Sequence, residues 1–393
     1  MAERKAIRLG SVVRTNVSTY SEKEGWAFVN YLDTGNITQD TISEIQRINV
    51  GTDKLPSRAR RKVQIGNIIY STVRPNQLHY GFIKSQPDNF LVSTGFAVID
   101  VNEKEAVPEY IYYFLTHRDV TERLQAIAEQ STSAYPSIKP SDIEDLTIDL
   151  PPIEEQRKIV GLLKMLDGKI KQNTEINNNL FEQMQALYKA WFVDFKPFGG
   201  VRPSNWNDTN IYAIANIIYG APFSSKMFNT DGIGKPIIRI RDLKEQAFVT
   251  FTTEEHPKGH LIQPGDIVVG MDGEFRPYIW GNESAWLNQR VCIFESKRPQ
   301  GKAFVLYTIK PLLNKIEQTQ VATTVIHIGK KDFDAFEVTL PDKATLDNFD
   351  SITSPMIEKI VNNRLQNKRL AVLRDTILPR LMTGEFDVSG IDL

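Results

Sequence analysis

Residues 137–152 read SIKPSDIEDLTIDLPP, and residues 327–342 read HIGKKDFDAFEVTLPD. The two segments align without a gap, and the matching residues are Ile138/Ile328, Asp142/Asp332, Ile143/Phe333, Leu146/Phe336, Ile148/Val338, Leu150/Leu340 and Pro151/Pro341. Each segment ends in a strand of alternating apolar residues, which a proline stops because it cannot donate to a β ladder. The match indicates that the chain contains an internal duplication.

A second pair of matching segments lies upstream of the first. Residues 64–69 read QIGNII and residues 263–268 read QPGDIV, so each is a glycine turn that leads into an apolar strand. The copies are 199 residues apart here (64 to 263) and 190 residues apart in the first pair (137 to 327). The intervening loops therefore differ in length, as expected of one scaffold that carries divergent loops.

A long helical segment follows each proline. Apolar residues recur at alternating spacings of four and three along 159–191 and again along 349–381, which is the heptad pattern of paired helices. Each seam is interrupted by two asparagines at matching positions: Asn173 and Asn177, and Asn363 and Asn367. If only one helix had this pattern, the simpler interpretation would be that its apolar stripe packs against its own domain. Two helices with the same polar interruption favour mutual pairing, with the asparagines setting the register.

The bulk properties suit a globular protein of several domains. A chain of 393 residues is long enough for two or three domains, and its pattern predicts a mixed α/β (α+β) fold with an internal pseudo-two-fold repeat. The predicted parts are a first domain at 1–152, a helical spacer at 153–197, a second domain at 198–341, a helical spacer at 342–385 and a tail at 386–393.

Charge and cysteine content limit the partners and the compartment. The formal net charge is -1, so any affinity for nucleic acid must come from local basic faces. The single cysteine, Cys292, indicates a reducing compartment. The sequence begins without the apolar core of a signal peptide, and no segment approaches the run of about 18 apolar residues that spans a membrane. These features predict a cytoplasmic protein.

The sequence offers no catalytic motif. It contains neither a GxxxxGK[ST] phosphate loop nor an HExxH zinc helix, and His256 and His260 flank turn residues rather than forming a metal site. Three carboxylates in GDIVVGMDGE suggest a nuclease at first sight, but a turn and a hairpin account for them: Asp266, Asp272 and Glu274. We therefore expect no catalysis, no bound metal and no cofactor in this chain.

Both halves carry arginine, lysine and amide residues that suit DNA binding. Arginine reads guanine, Asn and Gln read adenine, and further cations bind phosphates. The candidates in the first half are Arg58, Arg60, Arg61, Lys62, Arg74 and Asn76. Those in the second half are Arg239, Arg241, Lys244, Arg276, Tyr278, Gln289 and Arg290. We expect Arg239 and Arg241 to share one strand face, although pairing with Asp242 or Glu245 is the alternative. The basic cluster at 54–62 has the alternative of a solvated loop.

Several stretches resemble one protein family. LPPIEEQRKIVGLLKMLD (150–167) and LYKAWFVDFKPF (187–198) resemble the central region of type I restriction–modification specificity subunits, and RDTILPRLMTGEFDV (374–388) resembles their distal region. GNIIYSTVRP and LVSTGFAVI are similar to the family's first target-recognition domain, and IIRIRDL, GDIVVGMDGEF and LNQRVC to its second. The resemblance covers nearly the whole chain.

The resemblance implies a non-catalytic protein that binds double-stranded DNA. Each recognition domain would read half of a split site, and an antiparallel helix pair would hold the domains apart and dock two methyltransferase subunits. S-adenosylmethionine would be bound by those subunits, and ATP with Mg by motor-endonuclease subunits where these are present. With the asparagines matched, facing seam residues have numbers that add to 540, which leaves Leu166 opposite Arg374 and Leu187 opposite Thr353 as poor apolar matches.

Two departures from the family pattern and one rival interpretation accompany this prediction. The chain has Glu129-Gln130-Ser131-Thr132 where a Gly-Ser pair is usual, and LPDKATLDNF lacks the EEQ of the first copy, so the two partner-docking sites are expected to be unequal. The rival is a coiled-coil scaffold with two protein-binding or sugar-binding domains.

Overall fold

The chain folds into two compact units in a computed structural model that describes residues 4–131, 135–319, 327–388 and 390. Unit 1 comprises Met1–Asp167 and Val372–Leu393, and unit 2 comprises Gly168–Ala371. Each long helix is divided between the two units. Thr132 and half of the predicted tail (389 and 391–393) lie outside the described residues, and the domain boundaries drawn from the sequence stay a prediction.

Unit 1 is a β-rich body with three short helices and parts of two long ones. Its strands are β1 (Lys5–Arg8), β2 (Val13–Thr15), β3 (Phe28–Leu32), β4 (Ile37–Thr38), β5 (Thr41–Ile42), β6 (Gln46–Asn49), β7 (Ala59–Lys62), β8 (Ile68–Ser71), β9 (Tyr80–Phe82), β10 (Phe90–Ser93), β11 (Phe96–Val101) and β12 (Thr147–Leu150). Its helices are α1 (Pro108–Thr116), α2 (Arg118–Glu129), α3 (Pro140–Glu144), the start of α4 (Ile153–Tyr188) and the end of α7 (Lys343–Met382).

Unit 2 repeats this plan with different loops. Its strands are β13 (Asn207–Asn210), β14 (Ala215–Tyr219), β15 (Phe228–Asn229), β16 (Lys235–Ile238), β17 (Phe251–Thr252), β18 (Leu261–Ile262), β19 (Ile267–Gly270), β20 (Pro277–Ile279), β21 (Ala285–Leu287), β22 (Val291–Ser296) and β23 (Glu337–Leu340). Its helices are the end of α4, α5 (Lys302–Thr319), α6 (Lys330–Asp334) and most of α7 (Lys343–Met382).

The sheets confirm the internal duplication. A four-stranded sheet has the order β2-β11-β8-β9 in unit 1 and β14-β22-β19-β20 in unit 2. Antiparallel β1-β12 corresponds to β13-β23, and the parallel pair β3/β10 corresponds to β16/β21. The matched segments found in the sequence form β12 and β23, and β8 and β19. The alternating apolar residues of these strands fill the core of each unit, as in Ile148 and Val338, which are both buried.

The asparagines confirm the predicted register in unit 2. Asn173 donates to Asn367 Oδ1 at 2.8 Å, and Asn363 donates to Asn177 Oδ1 at 2.9 Å. Trp191 and Phe349 also meet as the register requires, with ring centroids 5.8 Å apart. The segments of α4 and α7 in this unit therefore pair in the antiparallel sense.

The two poor matches in the predicted seam are resolved by polar contacts. In unit 1, Arg374 forms an ion pair with Asp167 at 2.8 Å instead of meeting Leu166. In unit 2, the buried hydroxyl of Thr353 donates to the Phe349 carbonyl one helical turn earlier, at 2.9 Å. Both residues thus fill seam positions without leaving an unpaired polar group.

The ends of the long helices differ in detail from the predicted spans. The α-helical part of α4 stops at Tyr188, and a π-helical turn follows at Lys189–Val193, closed by an Asp194 N–H that donates to the Lys189 carbonyl at 2.8 Å. The helix does not continue to 197, and a cluster of aromatic side chains packs around this turn. The cluster contains Trp191, Phe192, Phe195, Phe198 and Trp206.

The two long helices begin in chemically different ways. At the start of α4, the buried Gln156 accepts from the Val107 N–H at 2.8 Å and donates to the Pro151 carbonyl at 2.8 Å, while Glu155 pairs with Arg4. At the start of α7, Asp342 instead caps the helix by accepting from the Thr345 N–H at 3.0 Å. The EEQ sequence is thus part of the fold of unit 1 and is replaced by an Asp cap in unit 2.

Gly168 provides a test of the continuity of helix α4. It is exposed within α4, and a Cβ at this position would have no heavy atom within 4 Å beyond its own helix. We expect Gly168→Ala to raise the free energy of unfolding by about 1 kcal/mol, because alanine restricts the unfolded chain and favours the helix. Urea denaturation followed by circular dichroism measures this change.

Gly81→Ala is the matched control, since its Cβ would lie 2.5 Å from Ile37 Cδ1. This variant should lower the free energy of unfolding. A Gly168→Ala protein that is less stable than the parent would contradict the continuous exposed helix.

Candidate nucleic-acid interface

Three loops of unit 2 meet at one edge of its sheets. The Ile328 N–H donates to the Met271 carbonyl at 2.9 Å, and the Met271 N–H donates to the Arg290 carbonyl at 2.9 Å. The Asn288 N–H donates to the Ile238 carbonyl at 3.4 Å. These bonds bring together the ends of β16 and β19 and the start of β22, so residues distant in sequence share one edge.

A cleft of about 610 Å³ opens at this edge. Its polar lining includes five residues from the second half of the chain: Arg239, Arg241, Asn288, Gln289 and Arg290. Phe223 and Phe228 add aromatic surface, and Asp272 adds a carboxylate. Four of the residues predicted to bind DNA, namely Arg239, Arg241, Gln289 and Arg290, thus lie in one cleft.

The prediction that Arg239 and Arg241 share a strand face is wrong. Strand β16 ends at Ile238, and Asp242 Oδ2 accepts from the Arg239 N–H at 3.0 Å, which starts a 3-10 turn over Ile240–Asp242. Arg241 lies 3.6 Å from Asp242 and donates to Thr250 Oγ1 at 3.3 Å. The alternative of pairing with Asp242 therefore holds for Arg241.

The other three candidates of the second half do not line this cleft. Lys244 is exposed beyond the 3-10 turn, and Arg276 is paired with Glu274 at 3.4 Å. Tyr278 lies on β20 and packs against the core cluster of Trp280, where burial raises the pKa of its hydroxyl. Their role in DNA binding stays a prediction.

The same backbone arrangement occurs in unit 1. The Ile138 N–H donates to the Thr72 carbonyl at 2.8 Å, and the Thr72 N–H donates to the Gly95 carbonyl at 2.8 Å. The Thr94 N–H donates to the Arg58 carbonyl at 2.8 Å, which places Arg58 beside this edge. The edge of unit 1 is therefore equivalent to that of unit 2 in backbone but differs in side chains.

Arg74 belongs to the same edge of unit 1. It follows Thr72 by two residues, has a left-handed backbone (φ 48°) and lies over the Tyr135 ring at 4.9 Å. Its N–H donates to the Pro136 carbonyl at 2.9 Å. Asn76 is exposed nearby, and its N–H donates to Gln125 Oε1 at 3.2 Å. A backbone hydrogen bond and a ring contact thus hold Arg74 in place. Asn76 is exposed to solvent in the same turn.

Strand β7 places successive basic residues of the 54–62 cluster on opposite faces of the sheet. Arg60 pairs with Glu22 at 3.0 Å and Lys62 pairs with Glu24, so these two cations are partly neutralised. Arg61 alternates to the other face, where its Nε is buried without a hydrogen-bond partner among the described residues and burial lowers the pKa of the guanidinium. The exposed Arg58 is the member of the cluster closest to the shared edge.

The carboxylates and histidines show no clustering typical of a metal site. No group of three His, Cys, Asp or Glu side chains suited to a metal occurs in residues 4–131, 135–319 and 327–388. Asp266 accepts from the Gln263 N–H at 2.7 Å within its turn, and burial raises the pKa of its carboxyl. Across the same described part of the chain, no helix is both long and apolar enough to cross a membrane.

One scaffold occurs twice in this chain, and its equivalent edges carry different cationic and amide side chains. These features define a class of protein with two related domains that differ in their surface chemistry.

The comparisons with known proteins identify the family. The model of the type I restriction modification DNA specificity domain matches residues 7–182 and 203–372. The chain belongs to this family and is the DNA-recognition component, not a catalytic one, of a type I restriction–modification system.

Individual relatives agree over nearly the full length. The HindI specificity subunit of Haemophilus influenzae is 25% identical over 461 residues, covering 98% of this chain and 100% of the relative. The MjaIX specificity subunit of Methanocaldococcus jannaschii is 24% identical, covering 98% and 93%. The solved S subunit of a type-I system from M. genitalium has the same fold, with a TM-score of 0.54, 16% identity and coverage of 97% and 96%.

Proposed function

We propose that each unit reads one half of a split DNA site and that the paired helices set the unread gap between the halves. The observation that carries this proposal is that both units form the same backbone edge but place different side chains at its equivalent positions. Arg290 of unit 2 occupies the position of Gly95 in unit 1, and Arg74 of unit 1 occupies that of Gly273 in unit 2. Equivalent backbones with different donors suit two different base sequences.

The side chains at these edges match the chemistry of base and phosphate recognition. Arginine can donate two parallel hydrogen bonds to guanine, and Asn or Gln can pair with adenine in the major groove. Gln289 and Arg290 supply such groups in unit 2, and Arg58 and Arg74 supply them in unit 1. The remaining cations at each edge would bind phosphates, which position a protein without reading sequence.

The helices and their start sites are the proposed docking region for two DNA methyltransferase subunits. These subunits would bind S-adenosylmethionine, and ATP with Mg would be bound by motor-endonuclease subunits in a complex that also cleaves. The two docking sites would be unequal, because Gln156 and Glu155 build one helix start and Asp342 builds the other. The assembly would act in the cytoplasm, where its DNA target and these partners occur together.

Mapping methylated bases in the genome tests this proposal. We expect the modified sites to share two short specific sequences separated by several unspecified base pairs, and to disappear when the gene is deleted. The control is the same deletion carrying a plasmid copy of the gene, which should restore the pattern. A single contiguous motif that depends on this gene would contradict the two-reader proposal.

A further inference from the structure

A triad of Asp272, His327 and Arg290 lies at the edge of the unit 2 cleft. Asp272 Oδ1 is 2.5 Å from His327 Nδ1, and Asp272 Oδ2 is 3.6 Å from Arg290 Nε. Arg290 Nη1 is 3.1 Å from His327 Nδ1 and 3.2 Å from Nε2. The Asp272 side chain is 27% exposed and the Arg290 side chain is 51% exposed. The triad is therefore accessible from the cleft.

The scaffold does not require these three side chains. An isolated bridge joins Asp272 to His327 in unit 2, and the equivalent bridge joins Val73 to Ser137 in unit 1. Gly95 replaces Arg290 there, as the matching hydrogen bonds show. Unit 1 thus forms the same backbone edge with Val73, Ser137 and Gly95. Folding alone therefore does not account for the polar side chains of the triad in unit 2.

Stability does not account for the triad either. An ion pair with a half-exposed arginine contributes little to folding, because water screens the charges and two side chains lose freedom. Such a pair can instead serve binding, since restricting the guanidinium before a ligand arrives lowers the entropic cost of association. The triad is thus better suited to recognition than to folding.

We propose that Asp272 is a positioning residue that aims Arg290 at a guanine in the half-site read by unit 2. This inference rests on the proposed function. Asp272 engages the Nε side of the guanidinium and His327 its Nη1 side, and the described residues supply no hydrogen bond to Nη2. The O6 and N7 atoms of guanine accept the parallel donors that an aligned guanidinium presents.

The nearby carboxylate decides between a base and a phosphate as the partner of Arg290. A phosphate beside Asp272 would meet a like charge, whereas the edge of a base carries no net charge. Arg239 also lines the cleft, and the described residues offer it no ion pair. The cleft therefore divides its arginines, with Arg290 reading a base and Arg239 binding the backbone.

Asp272→Asn tests the proposal, because it keeps the shape of the side chain and removes its charge. The full chain is first used to select its target from a library of random duplexes, and competition binding then measures each base substitution. We expect discrimination at one position of one half-site to fall by roughly 5- to 150-fold, with the other half-site unchanged. Affinity for a duplex without the target should stay the same or rise, since a negative charge is lost.

Arg290→Lys provides a second variant that keeps the charge and removes the planar fork. It should relax the same position while the dependence of affinity on salt stays as in the parent. Asp208→Asn is the matched control, because Asp208 pairs with Arg202 at 2.9 Å on β13, away from the cleft. This control should leave every base preference unchanged.

The outcomes separate the two proposals. If the parent selects a split site but Asp272→Asn retains full discrimination, the positioning role is wrong and the two-reader function stands. If Arg290→Lys keeps the base preference and Arg290→Ala only weakens the salt dependence, Arg290 binds phosphate and the inference is overturned. A parent protein that selects no split site would overturn both.

Discussion

Alanine at Arg239, Arg241 and Arg290 together is expected to abolish recognition of one half of the DNA target while the base preference of the other half stays intact. The three arginines line one cleft of unit 2. A base-reading arginine contributes on the order of 1–3 kcal/mol of discrimination, and a phosphate-binding one weakens all sequences alike. Competition binding with duplexes altered in either half measures the effect.

The reciprocal variant replaces Arg58 and Arg74, the two arginines at the equivalent edge of unit 1. It should relax the half-site that the first variant leaves intact. Arg60→Ala with Lys62→Ala is the matched control, because these cations are already paired with Glu22 and Glu24. If either arginine set changes the base preference of both half-sites, independent reading by the two units is excluded.

The repeated fold could be predicted from the sequence because its signals are local. The alternating apolar residues before Pro151 and Pro341 define β12 and β23 directly, and the same pattern places Ile148 and Val338 in the cores. The helix register was equally accessible, since four asparagines at matched positions have few satisfactory pairings. The antiparallel sense came from the family resemblance, as a parallel pairing aligns the asparagines too.

Exceptions in the seam depend on neighbours that no spacing rule identifies. Arg374 forms an ion pair with Asp167, the residue that follows its predicted seam partner Leu166 along α4. Thr353 is satisfied by its own helix through the Phe349 carbonyl. A heptad pattern predicts which residues face the partner helix. It does not predict which hydrogen-bond or ion-pair partners their polar groups will have.

The candidate interface was only partly predictable, because it is assembled from loops. The sequence identified Arg239 and Arg290, but only the hydrogen bonds of Met271 and Asn288 show that they share a cleft. The sequence pattern explains Asp272 as part of a hairpin. Its contact with Arg290 could not be predicted, because the two residues come from separate loops.

The basic cluster of unit 1 shows the opposite error. Its five basic residues all lie within positions 54–62 of the sequence, yet Glu22 and Glu24 pair with Arg60 and Lys62 from 38 residues away. Arg61 alternates to the other face of β7. Charge density along the chain therefore overestimates the basic surface that DNA can meet.

Lengthening both long helices by four residues is expected to widen the unread gap in the DNA site by one or two base pairs. The matched insertion points follow Asp167 in α4 and Ala371 in α7, where Gly168 and Val372 fit the asparagine register because 168 + 372 and 173 + 367 are both 540. Four helical residues add about 6 Å, and B-DNA rises about 3.4 Å per base pair. A paired-helix seam accommodates such an insertion by local unwinding.

Mapping methylated bases in cells that carry the double insertion measures the new gap. Both half-site sequences should be retained and the original spacing should no longer be modified, because two readers held farther apart cannot engage it together. The same four residues inserted between Gln86 and Pro87, in an exposed loop of unit 1, form the control and should leave the gap unchanged. A double insertion that folds and still directs methylation at the original spacing would show that helix length does not determine the gap.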